Sequence, residues 1–253
     1  MPRLLVRRPS PALADGELTH QERVPVDPAL ALTQWQGYVD VFRDRGWEIC
    51  EAAPADAQPD GVFLEDAVIV FDDLALLARS GAAARRGEAA SARAAAVGAG
   101  LTPIAIVEPG TLDGGDILKV GRTVYIGASS RTNAAGIAQA RVALEPRGWV
   151  VREIPVTKAL HLKTAVTALP DGTVIGYLPI VDDPALFPDF LPVPEAHGTA
   201  VVVLDDRTVL LSADAPETAA LLRSRGLEVV TTPVSEFEKL EGCVTCLSVR
   251  LRG

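Results

Sequence analysis

A thiol, an imidazole, several carboxylates and two arginines are the residues of this chain that could do chemistry. Near the C-terminus, Glu241-Gly-Cys243-Val-Thr-Cys246-Leu-Ser-Val runs from a Gly turn into an alternating β pattern. A cysteine at such a junction is held by rigid backbone and stays open to a substrate. Its thiolate is the nucleophilic form, and a neighbouring cation favours that form. His161, in Leu160-His161-Leu-Lys-Thr164, titrates near neutral pH and can carry protons to and from a reacting group. Acids adjoin in Pro59-Asp60-Gly-Val-Phe-Leu-Glu65-Asp66, and Asp113 and Asp116 flank a Gly-Gly turn. A carboxylate taken out of water needs a cationic partner, and a ligand cation would serve. Arg85-Arg86-Gly-Glu88 and Ser130-Arg131-Thr-Asn133 put arginines at helix starts. The macrodipole disfavours a cation there, whereas a guanidinium fork suits a ligand carboxylate.

Each of these residues also has a plain structural reading. A cysteine in a β run is a small core residue, the paired acids can mark a strand break, and Asp113 with Asp116 can simply build a turn. A lone His among Leu residues can be a satisfied structural group. His20 and His197 fall in polar or Pro/Gly-flanked loops and read as solvent-facing.

The elements that would position these groups recur along the chain. A helix stop followed by a β run appears as Arg45-Gly46-Trp-Glu-Ile-Cys50, Arg147-Gly148-Trp-Val-Val-Arg152 and Arg225-Gly226-Leu-Glu-Val-Val230, and more weakly at Ala99-Gly100. Each follows an Ala/Leu-rich stretch with helical spacing. Asp27 with Pro28 opens the first helix, Thr132 or Asn133 opens the one ending near Gly148, and Asp214 with Pro216 opens the one ending near Gly226. The stops at 46, 100 and 148 lie 54 and 48 residues apart, and the next follows 78 residues later. That gap holds two shortened units if one stop is lost in the Pro-rich stretch 183–194, giving about five copies. Between stops lie paired strands at 62–71 with 74–79, 116–120 with 123–127, 162–169 with 172–178, and 199–204 with 208–212. The N-terminal strand 4–8 and the C-terminal strand 246–251 would complete one unit together and close a ring. The fold class is therefore α/β, a closed propeller of ββαβ-type modules with strand ends converging on an axis. The alternative, a doubly wound open sheet, would want a G-x-G-x-x-G phosphate loop after a strand, and none occurs.

Composition narrows the partners. The 253 residues are 48% hydrophobic and 23% charged, with net charge −9. That acidity argues against a nucleic-acid or anionic-membrane surface and suits a small cationic substrate. Three cysteines make no disulfide framework, and Cys243 and Cys246 have neither a second Cys pair nor a nearby His for structural zinc. No apolar run reaches about 18 residues, and Arg3, Arg7 and Arg8 interrupt the N-terminal stretch. The expectation is one catalytic domain spanning 1–253, in a reducing cytoplasm, as a monomer or homodimer.

Taken in order, Pro59-Asp60…Phe63-Leu-Glu65-Asp66, Arg85-Arg86-Gly-Glu88, Leu112-Asp113-Gly-Gly-Asp116, Arg131-Thr-Asn133, Leu160-His161-Leu-Lys-Thr164 and Gly242-Cys-Val-Thr-Cys246-Leu-Ser resemble the dimethylarginine dimethylaminohydrolases. The resemblance covers essentially the whole chain. It implies the five-bladed, pseudo-symmetric α/β propeller of the guanidino-group-modifying superfamily. It also implies hydrolysis of Nω-methylated arginine to citrulline and an amine, with no metal or organic cofactor. By the same resemblance Cys246, not Cys243, is the nucleophile and His161 the general acid/base. Asp66 and Asp113 grip the guanidinium, and Arg85 and Arg131 clamp the substrate's α-carboxylate. Asp60, Glu65 and the backbone around Leu18 and Leu240 complete the substrate shell. Two rivals remain. One is a hydrolase of unmethylated guanidines such as arginine, against which the chain length leaves no room for an extra helical domain. The other is a non-catalytic binder of arginine analogues, which would need neither thiol nor imidazole.

Overall fold

Strands β1 (Arg3–Val6) and β2 (Glu48–Glu51) flank helix α1 (Pro28–Arg43) in the first of five repeating units. The structure is a computed structural model and describes residues 1–252. The second unit runs α2 (Leu64–Ala67), β3 (Val68–Phe71), β4 (Leu74–Leu77), α3 (Ala89–Gly98) and β5 (Thr102–Ala105). The third is β6 (Ile117–Val120), β7 (Thr123–Ala128), α4 (Ala134–Leu144) and β8 (Val150–Pro155). The fourth is α5 (Leu162–Ala165), β9 (Val166–Ala168), β10 (Val174–Gly176) and β11 (Phe190–Pro192). The fifth is β12 (Val202–Val203), β13 (Thr208–Ser212), α6 (Pro216–Ser224) and β14 (Glu228–Thr232), followed by α7 (Ser235–Glu238) and β15 (Val249–Leu251). Four units form a sheet from an antiparallel pair plus a parallel strand added after a crossover. In the sheet of the first unit β15 supplies the antiparallel partner of β1, with Leu4 opposite Arg250. The two chain ends thus close the ring, as expected from the sequence.

Local chemistry explains most boundaries. The Asp27 carboxylate accepts from the backbone N–H groups of Ala29 and Leu30 at the start of α1, and Asn133 accepts from Gly136 at the start of α4. Gly46, Gly100, Gly148 and Gly226 end their helical segments at φ of +75° to +87°, where a Cβ would be penalised. The fourth unit has no crossover α-helix. Short 3₁₀ turns at Leu178–Ile180 and Pro184–Leu186 take its place, because the prolines remove the N–H groups a longer helix would need. Asp214 does not open α6 as expected. Ala215 holds the cap position without a side-chain bond, and Glu195 reaches over to accept from Glu217 and Thr218.

The strand expectations at 62–71, 162–169, 199–204 and 246–251 are each too long at the front. The axial strand of every antiparallel pair is preceded by a helical or turn segment: α2, the 3₁₀ turn Gly114–Asp116, α5, the 3₁₀ turn Ala196–Thr199, and, before β15, the turn at 243–246 closed by Cys246 N–H to Cys243 C=O. Runs of apolar residues this short have no period that separates strand from helix turn. The consequence is functional. Glu65 and Asp66 are neighbours on a helical turn, not opposite faces of a strand, and both are buried.

The first strand of each hairpin lines the axis. Side chains of β3, β6, β9, β12 and β15 enclose a channel of about 420 Å³. The apolar core is divided into clusters around this ring, each packed between sheet faces or under a helix, as with Trp35, Tyr38 and Phe42 of α1 against Leu4, Val6 and Phe237. No helix among the described residues is long and apolar enough to cross a membrane.

Candidate active site

Three of the turns that precede the axial strands present polar side chains at one mouth of the ring: Asp66 on α2, His161 at the start of α5, and Cys246. α2 and α5 both pack on the turn 114–116, and the Glu65 N–H donates to the Cys246 carbonyl at 3.3 Å. Asp66, His161 and Cys246 consequently line one narrow cavity of about 20 Å³ with Glu17, Asp60, Phe63, Arg85, Arg131, Leu160, Leu240, Glu241 and Gly242. The sequence spreads these residues over more than two hundred positions, and the pseudo-symmetry of the turns brings them together.

His161 stands at the cap of α5 and is buried. Its Nε2 lies 3.2 Å from Asp113 Oδ2. Burial opposes its charge, but the Asp113 hydrogen bond and the carboxylates of Asp116 and Asp66 raise its pKa to about 9. Asp113 is completely buried. Burial would raise its pKa, yet the His161 hydrogen bond and the charges of His161, Arg85 and Arg131 hold it down at about 2. It also accepts from Gly81 N–H at 3.0 Å and lies 3.4 Å from Arg131. Asp113 therefore sits behind the imidazole and is not part of the cavity lining. Asp116 is a second support: its carboxylate accepts from Leu162 N–H, Ser129 and Thr132, fixing the turn that carries His161. Gly115 packs against the ring, where an added Cβ would fall 2.5 Å from His161 Nδ1 and 3.0 Å from Asp66 Oδ1.

Cys246 is half-buried. Its sulfur lies 3.4 Å from that of Cys243, which in turn contacts Thr245 Oγ1 at 3.3 Å. The hydrogen bond from Cys246 lowers the Cys243 pKa to about 7 against its burial, with the Thr245 hydroxyl assisting. The same contact, together with burial and the charges of Asp66 and Glu65, pushes Cys246 upward.

Asp66 binds Arg85 at 2.7 Å through Oδ2, while its buried Oδ1 has no hydrogen-bond partner among the described residues. A buried carboxylate oxygen left unpaired is costly, and it adjoins the cavity shared by the thiol and imidazole. Arg85 is further held by both oxygens of Glu88 at 2.9 and 3.1 Å. Arg131 reaches Thr19 Oγ1 at 2.7 Å. Asp60 accepts from Glu17 N–H with both oxygens, and burial raises its pKa. Glu65 faces the other way, into the axial channel, where its carboxylate meets Lys163 at 2.7 Å and Arg250. Leu18 packs on the apolar cluster that contains Leu240.

The sequence reading did not single out Glu241. Held at φ +60°, it accepts from the backbone N–H groups of Thr19, His20 and Gln21 and ties the 17–21 loop over the cavity. Only its place beside Gly242 hinted at this. His197, Asp214 and Glu238 bring ligand-type atoms within 4.8 Å of one another, but they do not line the cavity of Cys246.

A closed ring of five modules with a thiol, an acid-backed imidazole and a free carboxylate oxygen at one mouth defines a guanidino-group-modifying type of enzyme. No family model matches the chain. The N(G),N(G)-dimethylarginine dimethylaminohydrolase of Streptomyces coelicolor is 57% identical over 248 residues, covering 98% of this chain and 96% of that protein. The Pseudomonas aeruginosa dimethylarginine dimethylaminohydrolase, solved as a cysteine-to-serine mutant complexed with citrulline, matches with TM-score 0.89 at 30% identity over 98% of each chain. A histidine-to-glycine form as an adduct with S-methyl-L-thiocitrulline matches with TM-score 0.90 at 30% identity over 98% of this chain and 99% of that one. The chain belongs to the dimethylarginine dimethylaminohydrolase family.

Proposed function

We propose that the protein hydrolyses Nω-methylated L-arginine to L-citrulline and methylamine or dimethylamine through a covalent intermediate on Cys246. The observation that carries this is the unpartnered Asp66 Oδ1 beside a cavity that also holds the Cys246 thiol and the His161 imidazole. A guanidinium N–H would satisfy that oxygen. Its positive charge beside the sulfur favours the thiolate and offsets the acids that push Cys246 upward in the free enzyme.

The Cys246 sulfur adds to the central guanidinium carbon. His161, protonated at neutral pH, donates a proton to the methylated nitrogen, and the C–N bond to the amine breaks, leaving a thiouronium on the sulfur. The now neutral His161 takes a proton from a water that attacks the same carbon. The C–S bond then breaks, citrulline leaves and the thiolate is regenerated. Asp113 holds the imidazole and compensates its charge. Arg131, with Arg85 beside it, faces the α-carboxylate, while Asp60 and the 17–21 loop around Leu18, together with Leu240, enclose the amino-acid end. Glu65 supports the floor from the channel side. The three free cysteines fit work in a reducing cytoplasm, with residues 1–253 acting as one catalytic unit. Citrulline formation from asymmetric dimethylarginine exceeding that from arginine supports the reading; equal or greater turnover of arginine overturns the substrate assignment.

A further inference from the structure

The nucleophile has a second thiol as its nearest sulfur neighbour, and the two cysteines line different cavities. Cys246 lines the narrow cavity with His161. Cys243 lines a separate cavity of about 260 Å³ with His20, His197, Glu238 and Val244. A turn with a hydrogen bond from Cys246 N–H to Cys243 C=O at 3.1 Å joins them. Such an i to i+3 turn keeps the Cα atoms within about 7 Å, inside the span a disulfide requires. The sulfurs already lie at 3.4 Å, so a bond asks only for side-chain rotation and a short approach. Among the described residues neither sulfur has a hydrogen-bond partner outside this turn, so closure breaks no other hydrogen bond.

We infer that Cys243 is a modification site for low-molecular-weight disulfides, entered from its own cavity, and that its modification ends in a Cys243–Cys246 disulfide. The division of labour matches other Cys-x-x-Cys pairs, in which the first thiol is the more acidic and reacts first. The Thr245 hydroxyl and the neighbouring thiol favour the Cys243 thiolate. In the first step the Cys243 thiolate attacks one sulfur of the reagent RSSR. A Cys243–SR bond forms, the reagent's S–S bond breaks and RS⁻ departs. In the second step Cys246 gives its proton to the departing thiolate and attacks the Cys243 sulfur, expelling the second RS⁻. Two protein thiols are oxidised and one reagent disulfide is reduced to two thiols. That this silences the enzyme rests on the reading of Cys246 as its nucleophile.

The test treats the full chain carrying Cys50→Ser with 2-hydroxyethyl disulfide under anaerobic conditions. Free thiols, intact mass and citrulline formation are followed together. The expected result is loss of both remaining thiols without retained adduct, a cross-link within the peptide containing residues 243–246, and activity lost in proportion and fully restored by reductant. A variant that also carries Cys246→Ser should instead keep one stable adduct on Cys243. Unreacted thiols, or a stable adduct on Cys246 beside a free Cys243, would overturn the inference. Because thiol count and mass are read without turnover, a disulfide that forms in a preparation with no citrulline activity would sink the functional reading and leave the modification site standing.

Discussion

His161 and Asp113 depend on one another. The imidazole keeps its proton to about pH 9 against its burial because the fully buried Asp113 carboxylate, itself held at about 2, lies 3.2 Å away and Asp116 and Asp66 add their charges. His161→Ala should lower kcat by about 10²–10⁴-fold, read as citrulline formed at saturating substrate. The wild-type rate should fall on the alkaline side as His161 loses its proton near pH 9. The pair also sets a stability window. The folded pKa of His161 exceeds its ordinary 6.5, so this contribution is complete below that value and disappears as pH rises through about 9. The folded pKa of Asp113 lies below its ordinary 3.8, so its contribution is present above that value and is lost as pH falls through about 2. The melting-temperature difference between wild type and His161→Gln should therefore shrink from pH 5.5 to pH 9.5, approximate points on either side of the His161 transition. A difference that stayed constant would contradict the ion pair. Gly115→Ala should displace the ring it touches and reduce turnover while the protein still melts cooperatively.

At the level of elements, three side chains fasten the loop over the site: Asp60 on Glu17, Arg131 on Thr19, and Glu241. Glu241 collects three backbone N–H groups from Thr19, His20 and Gln21, and charge-assisted bonds of this kind are the stronger ones. Glu241→Ala should expose those three amides to faster hydrogen exchange and raise KM more than it lowers kcat. Unchanged protection at 19–21 would contradict the fastening. Elements are also where sequence reading reached its limit. Gly46, Gly100, Gly148 and Gly226 were legible as helix ends because a positive φ demands glycine there. Asp27 and Asn133 were legible because caps act within three residues. Glu195 capping α6 was not legible, since the acid comes from the segment before β12, with a whole hairpin between it and the helix. Nor were the helical turns at 64–67 and 162–165, too short to declare a period. Those turns carry or adjoin Glu65, Asp66 and His161, so the residue types were readable while their direction was not: Glu65 and Asp66 line different cavities, and Asp113 stands behind His161 instead of beside it.

For the whole molecule, ring closure puts charge on the axis. Five first strands surround the channel, and Glu65 sits between Lys163 and Arg250 where the channel approaches the active site. Removing one partner of a buried ionic group leaves the others uncompensated, at a cost of about 3–5 kcal/mol. Glu65→Ala should destabilise the protein by that order in a denaturant or thermal melt, more than Glu51→Ala, whose partner Arg8 is exposed. Equal melts would show that the axial charges are not energetically linked. Closure also explains how the C-terminal turn reaches the site, since the pairing of β15 with β1 brings Cys246 to the cavity that His161 lines. The direct measurement is citrulline released from asymmetric dimethylarginine by wild type, Cys246→Ser and Cys243→Ala. Turnover in the wild type, most of it kept by Cys243→Ala and none by Cys246→Ser, is the expected result. Full activity in Cys246→Ser would contradict the assignment of the thiol and the convergence of the turns on it.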